Sequence, residues 1–414
     1  MRGVMIAVGS AGDVHPFVGL GRALKERAHD VVLHACGVFR GVIEGAGVRY
    51  GEVGTEEAYH KASKDPDLWH PRRGFPFVMR EAVLKFLRPT YEALREETRG
   101  GDAILVASTL DLAARVLRDK EGVPLVTTHL APACLRSCYR APVFKGAWGP
   151  RWTPKWQKRL LWWFADRIID PAYVPQLNAF RNDLGLRPVH RPLNTWWNSP
   201  DLILGLFPEW FGPRQPDWPA QLRLAGFPQF DASGQHDVDQ NLQAWIEGGD
   251  PPIVFTAGTA MVHGEAFFAA AAGACAEMGR RGLLLSQAAE TIPQRLPDGV
   301  RHETYVPFSE VLPKSAALVS HGGIGTCAQA LAAGIPHLVA PLAHDQFDNA
   351  SRLKDLGVGA EIARNAVSAT RLAAKLRDLL GSDEVARSCR EIHAKAKETD
   401  ALERACREIE AVNG

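Results

Sequence analysis

The chain has 414 residues, 46% of them hydrophobic and 23% charged, with a formal net charge of +1. Such a length exceeds one ordinary hydrophobic core and predicts two large domains, while the composition excludes a disordered chain. Near-zero charge excludes a general attraction to nucleic acid or to an anionic surface, so phosphate recognition has to come from a few placed groups.

In chain order, residues 4–8 form an apolar strand, 16–27 an amphipathic helix and 31–35 a second strand, and 39–46 continue the alternation. Residues 103–107 read as another strand, 110–121 as a helix closed by Gly122, and 125–128 as the next strand. Strands alternating with helices predict an α/β, doubly wound parallel sheet. Residues 139–219 break that rhythm and hold nine of the eleven tryptophans; they read as a Trp-rich insertion on a first domain spanning 1–227. Turn formers over 228–237 predict a linker. The alternation then restarts at 253–255, 265–280, 283–286, 317–320, 325–333, 336–341 and 348–356, which predicts a second sheet of the same type in a domain spanning 238–395. The tail is helical by period, and 396–414 is expected to return to the first domain. Seven scattered cysteines with no CxxC pair read as reduced thiols. With no leader-like start and no apolar run long enough to span a bilayer, the expected location is the cytoplasm.

Ligands of doubly wound sheets sit beyond the carboxyl ends of the strands. The loop Gly9-Ser-Ala-Gly-Asp-Val-His-Pro16 therefore presents a carboxylate, Asp13, and an imidazole, His15, to a predicted cleft, with Pro16 expected in the first turn of the helix that follows. Asp13 reads either as a cleft-facing carboxylate or as a helix cap, and His15 on its own reads as structural. Gly12 lets the backbone turn tightly. Asp111 opens the helix after residues 103–107 and carries the same two readings.

The second half offers more. Ser320-His-Gly-Gly-Ile-Gly-Thr326 is a strand end, a Gly-rich turn and a helix start, and helix N-termini bind diphosphates through free N–H groups and the positive dipole end. His321 and Thr326 add donors beside Gly323 and Gly325. Asp345 and Gln346 follow the next strand as adjacent acceptor and donor for vicinal hydroxyls. Thr256-Ala-Gly-Thr259 is a second phosphate cradle, and Tyr305 with Val306 offers an aromatic face and a backbone edge for a base. Asp237-Val-Asp239 resembles a metal-binding DxD, but before a predicted helix it reads as a cap, and no metal or cofactor is expected.

These residues resemble those of family-one glycosyltransferases of the GT-B fold, most of all the bacterial branch that contains the rhamnosyltransferase of rhamnolipid synthesis and the sterol- and glycopeptide-modifying enzymes. The segments that carry the resemblance are Ile6-Ala-Val-Gly-Ser-Ala-Gly-Asp-Val-His-Pro-Phe17, Asp67-Leu-Trp-His-Pro71, Leu206-Phe-Pro-Glu-Trp-Phe211, Gly226-Phe-Pro228 and His344-Asp-Gln-Phe-Asp-Asn-Ala350. The resemblance implies an inverting, metal-independent transfer of a hexose or deoxyhexose from a UDP- or dTDP-sugar to a hydroxyl. It puts the diphosphate on His321 and Thr326, the sugar on Asp345 and Gln346, and the base on Asp13. Gln329 stands where plant members have a ribose-binding glutamate. Two departures limit the transfer of roles: many relatives have histidine in place of Asp13, and the rhamnolipid enzyme lacks the equivalents of His321 and Thr326.

The Trp-rich segment predicts a hydrophobic acceptor, and Lys155-Trp-Gln-Lys-Arg-Leu-Leu-Trp-Trp-Phe164 carries a second reading as a weak peripheral membrane contact. Competing functions are a nucleotide-sugar epimerase of the same shape and a sugar-nucleotide-binding protein without catalysis.

Overall fold

A computed structural model describes all residues except 71–72, 146–152, 232–238, 259–263 and 413–414. It divides into two compact units, Met1–Pro228 with Asp400–Gly414, and Gln229–Thr399.

The first unit is built on seven strands: β1 (Arg2–Ile6), β2 (Asp30–Ala35), β3 (Arg49–Glu52), β4 (Ala103–Ser108), β5 (Leu125–His129), β6 (Leu202–Gly205) and β7 (Leu222–Leu224). They lie in the order β3-β2-β1-β4-β5-β6-β7, and every pairing is parallel. The central strands are buried along almost their whole length, as a parallel sheet covered on both faces requires. Strand β6 corrects the reading of 139–219 as a single insertion: residues 202–205 belong to the sheet. Several of its tryptophans are core material. Trp218 is buried against Phe207, Trp210 packs on Phe211 and Phe227, and Trp196 lies under the Arg115 and Arg181 guanidiniums while its indole N–H donates to Asp119. Trp148 and Trp152 lie outside the described residues.

The second unit has six parallel strands: β8 (Ile253–Thr256), β9 (Gly282–Leu285), β10 (Val300–Glu303), β11 (Ala317–Ser320), β12 (His337–Val339) and β13 (Gly359–Glu361), ordered β10-β9-β8-β11-β12-β13. Of the ten residues of the linker stretch, 232–237 lie outside the described part. Asp237 is among them, whereas Asp239 accepts from the Asn241 amide at the head of a helix, which is the capping role.

The last helix, Ala401–Glu410, belongs to the first unit. Its buried side is Ala401, Ala405, Cys406 and Ile409, and Arg27 clamps it from the first helix by donating to Glu403 and to both oxygens of Glu410.

Candidate active site

In each sheet the strand order reverses beside one central strand, between β1 and β4 in the first and between β8 and β11 in the second. The loops leaving those strands hold the residues with chemistry, as the switch-point rule requires.

In the first unit the helix after β1 is α1 (Ala11–Glu26). It starts earlier than the sequence suggests. A capping box at Ser10 sets the start, so Asp13 is its third residue and His15 its fifth, and Pro16 lies inside the helix rather than in its first turn. Asp13 Oδ2 accepts from the Ser10 amide (2.7 Å) and from Ser10 Oγ (3.0 Å). A Cβ on Gly9 would lie 2.3 Å from that same oxygen, so the carboxylate needs glycine there, at φ +138°. The cap reading of Asp13 is thus realised in the structure. A carboxylate has about four lone-pair positions, so capping does not exhaust it. Gly12 is exposed and His15 half-buried. The β4 loop is tied alongside by a hydrogen bond from the Val8 amide to Ser108 Oγ (3.2 Å). Asp111 is buried there and its Oδ1 accepts from the Ala114 amide (2.7 Å) at the start of helix α2 (Ala113–Glu121). Burial, only partly offset by the Ala114 and Ala113 amides, pushes its carboxyl up to about 7. The helix therefore begins three residues later than the apolar pattern predicts, with Asp111 holding its first turn.

In the second unit β11 ends in Ser320, the chain turns at Gly322 (φ +86°), and a helix runs over Ile324–Ala333 with Gly323 as its cap. The first intrahelical bond is from the Cys327 amide to the Gly323 carbonyl, so the amides of Ile324, Gly325 and Thr326 face off the helix end. Gln329 lies one turn further along. The His321 ring is wedged between backbones: a Cβ on Gly258 would come within 2.6 Å of it and one on Gly323 within 2.7 Å. Burial depresses the imidazole to about 4, so it is neutral at physiological pH, with one N–H to donate. Its Nδ1 is buried and has no protein partner among the described residues. Thr259 lies outside the described residues, and Gly258, bonded through its amide to Thr256 Oγ (3.2 Å), is what that loop supplies here.

After β12 the chain reaches helix Gln346–Asp355, with Asp345 at its head. Asn349, fully buried, bridges two loops: its Nδ2 donates to the Gly322 carbonyl (3.0 Å) and to Asp345 Oδ2 (2.8 Å). Burial raises the Asp345 carboxyl to about 6 against the lowering effect of that Asn349 bond. Gln346 Oε1 accepts from the Leu342 and Ala343 amides (2.7 and 3.1 Å), so its carbonyl shapes the loop and its amide nitrogen is the donor end. Tyr305 donates to the Asp231 carbonyl, and the Asp231 carboxylate takes the Ser309 amide (2.7 Å), which fixes the loop carrying Val306. The Val306 side chain is core, leaving its backbone as the part able to meet a ligand. Among the described residues no cluster of His, Cys, Asp or Glu has metal-ligand geometry.

Sequence reading gave no individual role to Asn349 or Ser320. The first carried a signal, the i, i+4 spacing from Asp345 at a helix start. Ser320 accepts from the Gly322 amide (3.0 Å) and bonds the buried His337 (2.8 Å) beneath the turn, a partnership that strand pairing creates.

Comparison with known proteins adds the family. Residues 4–139 match the glycosyltransferase family 28 N-terminal domain, and residues 283–409 match the C-terminal domain of the erythromycin biosynthesis protein CIII-like family. The chain is a GT-B glycosyltransferase. O-mycaminosyltylonolide 6-deoxyallosyltransferase of Streptomyces fradiae is 29% identical over 99% of this chain and 97% of its own. The solved glycosyltransferase of kitacinnamycin superposes with a TM-score of 0.78 at 20% identity, covering 100% of this chain and 99% of its own. Glycosyltransferase VinC, solved in complex with dTDP, gives 0.69 at 19% identity and covers 100% and 99%. The GT-B fold and the glycosyltransferase assignment anticipated from the motifs are shown.

Proposed function

We propose that this enzyme transfers a hexose or deoxyhexose from a UDP- or dTDP-sugar to a hydroxyl of a hydrophobic natural-product or lipid acceptor, with inversion and without a metal. The observation that carries the donor half is the Asn349 bridge, which locks a carboxylate for sugar hydroxyls to the turn whose helix end and neutral imidazole suit a diphosphate. His321, Gly323, Gly325 and Thr326 take the phosphates, Asp345 and Gln346 the sugar, Gln329 the ribose, and the Tyr305–Val306 backbone the base. Donors already aimed at the departing diphosphate supply the electrostatic stabilisation that a cation provides in other designs. Asp13 accepts the proton of the attacking hydroxyl as the new bond forms at the anomeric carbon. His15 is the alternative.

The deoxysugar and the hydrophobic acceptor draw support from the Streptomyces fradiae relative, whose name describes 6-deoxyallosyl transfer to O-mycaminosyltylonolide, and dTDP from the VinC complex. The test is a panel of UDP- and dTDP-sugars against a mixed acceptor library, read by mass spectrometry with and without EDTA. Conjugates of apolar alcohols formed equally in EDTA support the reading. Faster glycosylation of simple soluble sugars, or loss of activity in EDTA, overturns it.

A further inference from the structure

The helix Lys155–Ile169, here α3, is amphipathic in the wrong sense for a surface helix. Its two buried residues are charged. Lys158 donates to the Tyr139 carbonyl (3.2 Å), and Asp166, 1% exposed, takes Arg136 on one oxygen (2.5 Å) and Arg191 on the other (2.7 Å). The outward face carries Trp156, Leu160, Trp163, Phe164 and Ile168, at positions i, i+4, i+7, i+8 and i+12, with Trp156 63% and Ile168 77% exposed. All the large apolar side chains exposed among the described residues lie between Tyr139 and Ile168. Single exposed apolar residues need no explanation, whereas a contiguous stripe marks an interaction surface.

Charge selects the occupant. The three exposed ionic residues of α3 are Lys155, Arg159 and Arg167, and its one acid is the inward-turned Asp166. A second copy of this chain docking by two-fold symmetry would bring those cations against themselves. A small-molecule acceptor needs a concave site, but Trp156 and Ile168 are twelve residues apart, about 18 Å along a convex helix. An anionic bilayer surface satisfies both halves, with Trp, Leu, Phe and Ile entering the headgroup boundary and the cations staying beside lipid phosphates.

We propose that α3 is a membrane-docking helix that seats this enzyme reversibly on anionic lipid. With a net charge of only +1 the rest of the molecule adds no general attraction, so attachment rests on this helix and is sensitive to salt. The proposal concerns where the enzyme works and does not depend on which donor or acceptor it uses.

The test is co-sedimentation of the full chain with vesicles of phosphatidylcholine alone and of phosphatidylcholine with a one-third share of phosphatidylglycerol, at low and high salt. Expected is binding to the anionic vesicles, a blue shift of tryptophan emission, and a loss of roughly fivefold in partitioning per cation removed across K155Q, R159Q and R167Q. The apolar variant W156S/L160S/F164S/I168S should abolish binding and, because these side chains face solvent, keep the wild-type melting temperature. Three results would each overturn the proposal. One is no preference for anionic vesicles. Another is a dimer in sedimentation equilibrium that the apolar variant dissolves. The third is vesicle binding retained by a folded apolar variant. None of these readouts uses glycosyl transfer, so failure here leaves the proposed reaction standing.

Discussion

Asp13→Asn separates the proposed general-base role of Asp13 from its capping role, because the structure keeps the capping bonds in the variant. The capping bonds come from the Ser10 amide and hydroxyl to Oδ2, and an asparagine carbonyl accepts both. What the helix loses is a charge at its N-terminus, worth about 0.3–1 kcal/mol. In a unit of this size that corresponds to a melting shift of roughly 2–4 °C at most. If capping were the whole role, turnover would fall no further than about fivefold, the rate equivalent of 1 kcal/mol. A lost general base costs about 10²–10⁴ in rate, or roughly 3–5 kcal/mol of activation free energy. The two accounts thus differ by at least an order of magnitude in kcat. The assay is release of nucleoside diphosphate at saturating donor and acceptor, with nucleotide affinity by calorimetry and melting by circular dichroism. Expected are a hundredfold or greater loss of kcat, near-constant nucleotide affinity and a small melting shift. Ser10→Ala, which removes one capping bond and keeps the carboxylate, should retain most activity. An Asp13→Asn enzyme within fivefold of wild type would refute the assignment, and an inactive His15→Asn beside it would move the role to His15.

Two further outcomes follow from the second unit. His321→Ala should weaken binding of free UDP or dTDP, whereas Asp345→Ala should spare free nucleotide and weaken only the intact sugar nucleotide; equal loss of free nucleotide in both would remove the sugar from Asp345. Because burial raises Asp345 to about 6, its acceptor form dominates above that pH. Sugar-nucleotide affinity should therefore rise as pH increases through about 6 while free-nucleotide affinity does not, and Asp345→Asn should erase the difference in titrations by calorimetry. The raised Asp111 carboxyl carries the opposite sign for stability: a folded value near 7, above the ordinary unfolded value, means that stability falls as pH rises from about 4 to 7. Melting curves of Asp111→Asn should show a smaller fall, keeping below about pH 6 the share that the raised Asp345 carboxyl contributes by the same rule, and a wild-type profile flat over the same interval would contradict the burial argument.

The doubly wound architecture was legible because central parallel strands are apolar on both faces, and residues 4–8, 103–107 and 317–320 read as strands without ambiguity. The edge strands β3, β10 and β13 escaped notice. Their residues, such as Arg49, Tyr50, Arg301, His302 and Glu361, are partly solvated and lack an apolar run, so only pairing with a neighbour reveals them. Helix starts failed for a related reason. Apolar periodicity and Pro16 placed α1 late, but the hydrogen bonds of Ser10 and Asp13 set its first residue, and those depend on geometry that periodicity does not encode. Candidate residues near a strand end were legible from the switch-point rule alone, since His321, Asp345, Asp13 and Asp111 all leave carboxyl ends. What was not legible is which atoms are already spent. Gln346 gives its carbonyl to two loop amides, Asp111 gives an oxygen to α2, and Asn349, unremarkable in the sequence, is the residue that fixes Asp345 to the Gly322 turn. Motifs in this chain thus name the candidate loops at the carboxyl ends of the strands, while the division of labour among the polar atoms of the His321 and Asp345 loops is decided by contacts made beside strands β11 and β12. The same logic accounts for α3: its basic and aromatic residues are visible in the sequence as a second, weak membrane reading, but only the burial of Lys158 and Asp166 shows which face is turned inward.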